Sequence, residues 1–238
     1  MDMLKKTFDR GKQMVEEKLG EAQRTEFDPE FAAALLRADD MRNSLERMLS
    51  YAEIFVQPDP AARLLPDFTQ EGHNKAESFA AQLGQFNQAI QMWKPLEAPS
   101  NKVAAQMGDG ETAFNSIGRA ERELLHCVAN DFVNPMKRLL NEEIKNLESE
   151  RKVLNTKRLD MDSWKNKAVK QAGNAAVEEE TQKAEAAFRE QQLKVSGLIE
   201  ALEKKLPDVV ASMKKFVGAH NDYYRKCHNA VQAYYDSL

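Results

Sequence analysis

The sequence predicts an all-α protein, an elongated and kinked antiparallel coiled coil of three long helices. Charged residues make up 30% of the chain, which has only 10 glycines and 8 prolines among its 238 residues. Ala, Glu, Lys, Gln and Leu dominate, and these side chains lose little rotamer freedom in a helix. Apolar residues also recur every seven positions through three long segments, which is the pattern of coiled-coil packing.

Residues 1–20 predict an amphipathic helix that precedes the folded body, residues 21–238. On a helical wheel one narrow sector holds the apolar residues Leu4, Phe8, Val15 and Leu19. The basic residues Lys5, Lys6, Arg10 and Lys12 lie outside this sector. Such a helix is suited to insertion at a membrane surface. Because a short isolated helix is marginal in water, we expect it to be disordered in solution.

The first long helix is predicted over about 29–56. Asp28 is placed to cap it, Pro29 suits its first position, and Pro58 and Pro60 end it. Residues of about 58–110 contain many prolines and glycines, and we expect an insert of loops with a short helix over about 78–92.

Two further long helices are predicted over about 111–169 and 176–235, separated by a turn. The earlier one would be about 90 Å long at 1.5 Å per residue. Pro135 and Pro207 predict a kink in each, and two kinks would curve the rod. The last helix has two apolar series, Phe188, Val195, Leu202, Val209, Phe216, Tyr223, Ala230 and Ile199, Leu206, Met213, His220, Cys227, Tyr234.

These stripes supply more apolar surface than one thin bundle covers, which predicts a homodimer. We expect the tyrosines near the end of the last helix to lie close to the dimer centre: Tyr223, Tyr224, Tyr234 and Tyr235.

Charge is unevenly distributed along the chain. The net charge is −4, yet residues 151–170 hold seven basic and two acidic residues. Anionic lipid headgroups attract each nearby basic residue by about 1 kcal/mol. We therefore expect headgroup contacts from the N-terminal basic residues and from Arg158, Lys165, Lys167 and Lys170. Nucleic acid is not expected, since the chain is acidic overall and has no helix-turn-helix or zinc motif.

No residue pattern indicates a catalytic, metal or cofactor site. The pairs His126–Cys127 and Cys227–His228 lie in helical segments, where adjacent side chains point about 100° apart. We interpret both cysteines as reduced helix-packing residues. Gly108 and Gly110 lack the continuation of a phosphate-binding loop. No apolar run is suited to a signal peptide or a membrane span, so we expect a cytoplasmic protein that binds membranes peripherally.

Five segments resemble the endophilin family, particularly its B-type members, and together they cover most of the chain. These are LKKTFDRGKQMVEEKLGEAQRTEFDPEF (4–31), VQPDPAAR (56–63), RELLHCVANDFVNPMKRLL (122–140), ESERKVLNTKRLDMDSWKNK (148–167) and FREQQLKVSGLIEAL (188–202).

The resemblance implies a crescent-shaped BAR homodimer that senses or generates membrane curvature in vesicle trafficking. Lys165, Lys167 and Lys170 match the basic residues at the arm tip of this family, which falls at about residues 166–178 of this sequence. Residues 58–92 fall where endophilins carry an insert on the concave face, and this insert, whose sequence departs from that of the family, holds Leu64, Leu65, Phe68 and Phe79 as candidate lipid contacts. Residues 1–238 include no segment that resembles the Src-homology-3 domain of endophilins, so we assign no proline-rich ligand to them.

The alternative is a dimeric coiled-coil scaffold that holds protein partners and never touches lipid. Such a scaffold has no need of an amphipathic helix at residues 1–20, so deleting that helix separates the two hypotheses.

Overall fold

The computed structural model describes residues 7, 10–13, 15, 24–65, 68, 72–92 and 98–238, with backbone only for 98–100. This described part of the chain is all-α and contains no strand. Its α-helices, in chain order, are α1 Pro29–Val56, α2 Lys75–Gln91, α3 Ala98–Val128, α4 Asn134–Arg138, α5 Lys145–Lys170, α6 Ala175–Glu203 and α7 Leu206–Ser237.

Helix α1 begins where the sequence predicted. One carboxylate oxygen of Asp28 accepts hydrogen bonds from the amides of Glu30 (2.9 Å) and Phe31 (3.3 Å). Pro29 follows as the first helical residue, where its missing N–H leaves no bond unmade. The predicted cap is therefore confirmed.

The second long helix starts at Ala98, earlier than the predicted start near 111. Gly108 and Gly110 suggested a break, but both lie within α3. A Cβ atom at Gly110 would lie 2.7 Å from Cζ of Tyr234, so the glycine permits α7 to approach closely. Tertiary packing thus overrides the poor helix propensity of glycine.

Regular α-helix is interrupted just before Pro135 and Pro207, and the kinks predicted there stay predictions. Before Pro135 the helix widens into a π-helical segment, Ala129–Val133, because proline lacks the N–H that would bond to the carbonyl four residues earlier. A second π-helical segment, Leu139–Ile144, leads into α5. Before Pro207 the third long helix is interrupted at Lys204 and Lys205, which divides it into α6 and α7.

The chain forms two compact units, of which the first comprises residues 1–46 and 138–206. The beginning of α1 packs with α5 and α6 around a core that includes Leu35, Leu154, Met161, Phe188 and Val195. Ion pairs Arg42–Glu148 and Arg151–Asp39 join α1 to α5, and Lys194–Glu150 joins α6 to α5. Gly173, with a φ of +85°, forms the turn between α5 and α6.

The second unit comprises residues 47–137 and 207–238. Phe114 of α3 packs on Tyr234, and Phe132 of the π-helical segment packs on Phe216. These two contacts hold α7 against α3 and the segment that follows it. Lys137 pairs with Glu53 at 2.7 Å, and Lys215 pairs with Asp131 at 2.9 Å. Much of the predicted insert is ordered as helix α2, which packs along α3.

Candidate functional site

Three lysines at the end of α5, which we call the basic tip, occupy different environments: Lys165, Lys167 and Lys170. Lys165 lies 3.3 Å from Glu185 on α6, which partly neutralises it. The ammonium of Lys167 lies 4.5 Å from the ring centroid of Trp164. Lys170 is exposed in the last turn, where a cation also interacts favourably with the helix dipole. Lys170 is therefore the lysine of the basic tip best placed to meet an external anion.

Arg158, predicted to contact lipid headgroups, is instead a core residue. Its side chain is 7% exposed and donates from Nη1 to the Asp162 carboxylate at 2.8 Å. Asp162 lies one helical turn further on and also accepts hydrogen bonds from Thr25. A guanidinium that is buried and paired with a carboxylate does not reach a headgroup, so Arg158 is removed from the candidate site.

Part of the N-terminal segment lies against α5. Residues 10–13 are helical, and the Arg10 guanidinium donates to both carboxylate oxygens of Asp160, at 2.6 and 2.8 Å. Hydrogen bonding to Asp160 raises the pKa of Arg10. The side chain of Gln13 accepts a hydrogen bond from Asn166 at 2.9 Å, and Gln13 is only 2% exposed. We call these two contacts, Arg10–Asp160 and Gln13–Asn166, the docking contact.

The other predicted N-terminal residues divide into two groups. Lys12 and Val15 are exposed, Val15 to 56%. The remaining predicted insertion and headgroup residues lie outside the described residues: Leu4, Phe8, Leu19, Lys5 and Lys6.

Beside the basic tip, an open cleft of about 220 Å³ lies between α5 and α6. Lys157, Trp164, Lys167 and Lys183 line it together with Asp160. Lys183 is held by Glu179 and Glu180, whose carboxylates raise its pKa. Asp160, Asn166 and Trp164 were not among the residues predicted from the sequence to form the site. Asp160 and Asp162 interrupt a basic run, and this interruption was the only sequence signal for Asp160. No sequence signal pointed to Asn166 or Trp164.

The predicted insert residues have unequal access to solvent. Leu64 is 87% exposed and Leu65 is 39% exposed. Phe68 is buried, with its carbonyl accepting a hydrogen bond from Gln57 at 2.8 Å, and Phe79 packs edge-on against Phe114. Leu64, Leu65 and Phe79, which is 49% exposed, are therefore the insert side chains open to an external apolar contact, and Phe68 belongs to the packing of the second unit.

Helix α2 is joined to α3 by a polar network. Asn74 and Glu77 form a reciprocal capping box at its start, and Arg122 donates to both carboxylate oxygens of Glu77, at 2.8 and 2.6 Å. Asn74 also donates to the carbonyl of Gly118 at 2.8 Å. The Arg122 hydrogen bonds lower the pKa of Glu77 to about 2.

An apolar stripe runs along the exposed side of α7. Its members recur every seven residues and are 51–69% exposed: Val210, Val217, Tyr224 and Val231. Residues of the two predicted packing series on α7 are only half-buried at Phe216, Tyr223 and Cys227. On α6, by contrast, Phe188, Val195 and Leu202 are buried. A heptad stripe of this kind is suited to packing against a further helix.

The histidine and cysteine pairs show no common site. His126 and Cys127 are both exposed on α3, so Cys127 is not the packing residue expected. Cys227 lies half-buried beside Tyr223, and burial raises the pKa of its thiol. Within the described residues, no group of three or more His, Cys, Asp or Glu side chains is arranged to hold a metal ion. Nor does any described helix have an apolar stretch long enough to cross a bilayer.

Comparison with known families explains this combination of helices. The family model described as "BAR domain" matches residues 4–238. The chain belongs to the BAR domain family. BAR domains as a class bind membranes and dimerise, and the all-α coiled-coil fold predicted from the sequence is the fold of this family.

Individual relatives of this BAR domain are endophilins. The chain is 31% identical over 226 residues to Endophilin-B1 of Gallus gallus, which covers 92% of this chain and 61% of that protein. It is 26% identical over 257 residues to Endophilin-B2 of Gallus gallus, covering 93% and 63%. It is also 31% identical over 161 residues to Endophilin-B2 of Mus musculus, covering 66% and 40%. The predicted resemblance is confirmed, and the chain spans less than two thirds of the length of these relatives.

Proposed function

We propose that this BAR domain is a cytoplasmic, peripheral module that binds anionic membranes as a homodimer and senses or generates their curvature. One observation carries the proposal. Lys167 and Lys170 lie at the same end of α5 as residues 10–13 of the N-terminal segment: Asn166, which binds Gln13, is about one turn from Lys170, and Asp160, which binds Arg10, is about two turns from Lys167.

The two elements supply different parts of the membrane affinity. Lys167 and Lys170 attract anionic headgroups by about 1 kcal/mol for each basic residue near the surface, an effect that salt screens over about 10 Å. The apolar sector of residues 1–20 adds a hydrophobic contribution when it enters the headgroup boundary. Inserted helices also occupy area in one leaflet and so favour a curved bilayer.

The dimer supports this mechanism by doubling the number of lipid contacts. The exposed stripe of α7 is the surface we assign to the second copy, because its seven-residue spacing matches that of a partner helix. Two linked sites bind a membrane much more tightly than one, since the second binding event is intramolecular.

The test is vesicle co-sedimentation with electron microscopy, on anionic and on neutral liposomes. The full chain is compared with a version lacking residues 1–20 and with Phe8→Glu, and Phe8→Leu is the control that keeps the sector apolar. We expect binding and tubules on anionic liposomes, weakened by the deletion and by Phe8→Glu but not by Phe8→Leu.

A lipid-independent scaffold predicts otherwise. If the full chain binds neither kind of liposome at low salt, the membrane function is wrong and the chain holds protein partners. If Phe8→Glu makes tubules as well as the unaltered protein, insertion of the helix is not part of the mechanism.

A further inference from the structure

Residues 10–13 of the N-terminal segment contact α5 through polar side chains. With about 100° per residue, Arg10 and Gln13 lie roughly 140° and 160° away from Val15 around the helix. Both polar residues contact α5, while Val15 is 56% exposed. Gly11, near Val15 on the wheel, is exposed, and a Cβ atom there would have no neighbour within 4 Å. Among the described residues, Arg10 and Gln13 therefore face α5, while Gly11 and Val15 face solvent.

The docking contact is specific in geometry. A guanidinium that donates two parallel hydrogen bonds to one carboxylate fixes both position and orientation. The side chains of Arg10 and Asp160 are 32% and 28% exposed, so water screens them only partly. Gln13 is almost fully buried, with Asn166 as its hydrogen-bond donor.

A second anchor holds the chain just before α1. The amide and hydroxyl of Thr25 both donate to the carboxylate of Asp162, which is itself paired with Arg158. Asp160 and Asp162, two residues apart on α5, thus hold two different points of the N-terminal region. The two acidic residues inside the basic run have structural partners of their own.

From this geometry we infer that Asp160 and Asn166 form a docking site for the polar side of the N-terminal helix, which positions the helix for membrane insertion. This inference rests on the proposed function for its membrane consequence, but the docking itself is a property of the protein in solution. For residues 10–13 it revises the expectation of disorder before binding. Because Arg10 and Gln13 are already held on α5 while Val15 faces solvent, insertion of the predicted apolar sector does not require the docking contact to break, and less ordering entropy of residues 10–13 is lost on binding.

Asp160 is a positioning residue, and Asp160→Asn removes the carboxylate while keeping the shape. The matched control is Asp39→Asn. Asp39 accepts from Arg151 at 2.7 Å in the same unit, with side-chain exposures of 37% and 34%, and the two changes alter the net charge equally.

The first readout is hydrogen–deuterium exchange of residues 10–13 in solution without lipid. We expect protected amides in the unaltered protein and in Asp39→Asn, and exchange about five-fold faster in Asp160→Asn. The charge swap Arg10→Asp with Asp160→Arg should restore much of the protection. Equal exchange in the unaltered protein and Asp160→Asn would overturn the docking site.

The second readout is binding to anionic vesicles. We expect Asp160→Asn to bind about three- to five-fold more weakly than Asp39→Asn, because the undocked helix must be ordered on the membrane. Tighter binding by Asp160→Asn would overturn the positioning role and make the contact a latch that restrains the helix. If no variant binds vesicles, the proposed membrane function and the positioning role both fail, while the exchange data still decide whether the helix docks.

Discussion

Arg158 and Asp162 form a buried ion pair one turn apart on α5, with Nη1 of the guanidinium 2.8 Å from a carboxylate oxygen. The pair lies within the most basic segment of the chain, beside lysines that are exposed. Basic side chains in one stretch of sequence thus have different roles. Arg158 stabilises the helix packing, whereas Lys170 faces solvent.

We expect Arg158→Met to destabilise the fold by about 2–4 kcal/mol, because it leaves the Asp162 carboxylate buried without its cation. Urea unfolding measures the change, and Lys170→Met, at an exposed position, should stay within about 0.5 kcal/mol of the unaltered protein. If Arg158→Met keeps the free energy of unfolding of the unaltered protein but loses affinity for anionic vesicles, Arg158 is a headgroup contact.

Reversing the charges of Lys167 and Lys170 together should lower affinity for anionic vesicles by about ten-fold or more at low salt, with a smaller effect at high salt. Lys102→Glu with Lys214→Glu makes the same change in net charge at two exposed lysines of the second unit. Equal losses in the two double variants would mean that net charge, rather than the basic tip, governs binding.

The exposed stripe of α7 predicts the oligomeric state. Val217→Glu places a charge in the centre of the assigned dimer surface, and we expect it to shift sedimentation from dimer to monomer at micromolar concentration. Asn229→Glu adds the same charge about 120° away around α7 and should leave the dimer intact. A dimeric Val217→Glu protein would place the interface elsewhere.

Glu77 predicts how the second unit responds to acid. Its pKa of about 2 lies below the ordinary 4.5, so the ionised carboxylate stabilises the folded state above pH 4.5, and this stabilisation is lost as the pH falls from 4.5 towards 2. We expect Glu77→Gln to cost about 1 kcal/mol at pH 7, after allowing for solvent screening, and almost nothing near pH 2. The check is urea unfolding of both proteins across this range, and a constant difference would contradict it.

Two helical glycines should respond in opposite ways to alanine. At Gly118 a new Cβ atom would clash with the Glu77 side chain and lie 2.8 Å from Oδ1 of Asn74, so Gly118→Ala should destabilise the protein despite the better helix propensity of alanine. At Gly197 nothing lies within 4 Å, and Gly197→Ala should stabilise it by about 0.5–1 kcal/mol. Thermal unfolding compares the two, and a gain in stability for both would mean that Glu77 and Asn74 move aside without cost.

Local signals predicted the helix ends well. The Asp28–Pro29 cap and the interruptions at Pro135 and Pro207 follow from backbone chemistry that acts over a few residues, so they can be inferred without knowing the neighbours. Seven-residue spacing also identified Phe188, Val195 and Leu202 as core residues. The start of α3 at Ala98 could not be inferred from the sequence. Glycine disfavours helix, and the close approach of Tyr234 that Gly110 permits is a tertiary contact.

The candidate site was predicted less completely. Lys170, Val15 and Leu64 are exposed as the proposed role requires, but Lys167 is half-buried, Arg158 and Phe68 are buried, and Asp160 and Asn166 were missed. A helical wheel indicates which side of a helix a residue occupies, but it does not identify the residue opposite it on another helix.

The sequence by itself determined that this protein is a BAR domain of long, heptad-patterned helices preceded by an amphipathic segment. Helix periodicity, capping and proline chemistry depend on residues close together in the chain, and local sequence therefore encodes them. Only the tertiary structure decided which charges are available. The pairing of Arg158 with Asp162, of Arg10 with Asp160 and of Glu77 with Arg122 depends on how far each side chain is buried and on which groups the packed helices bring within hydrogen-bonding distance.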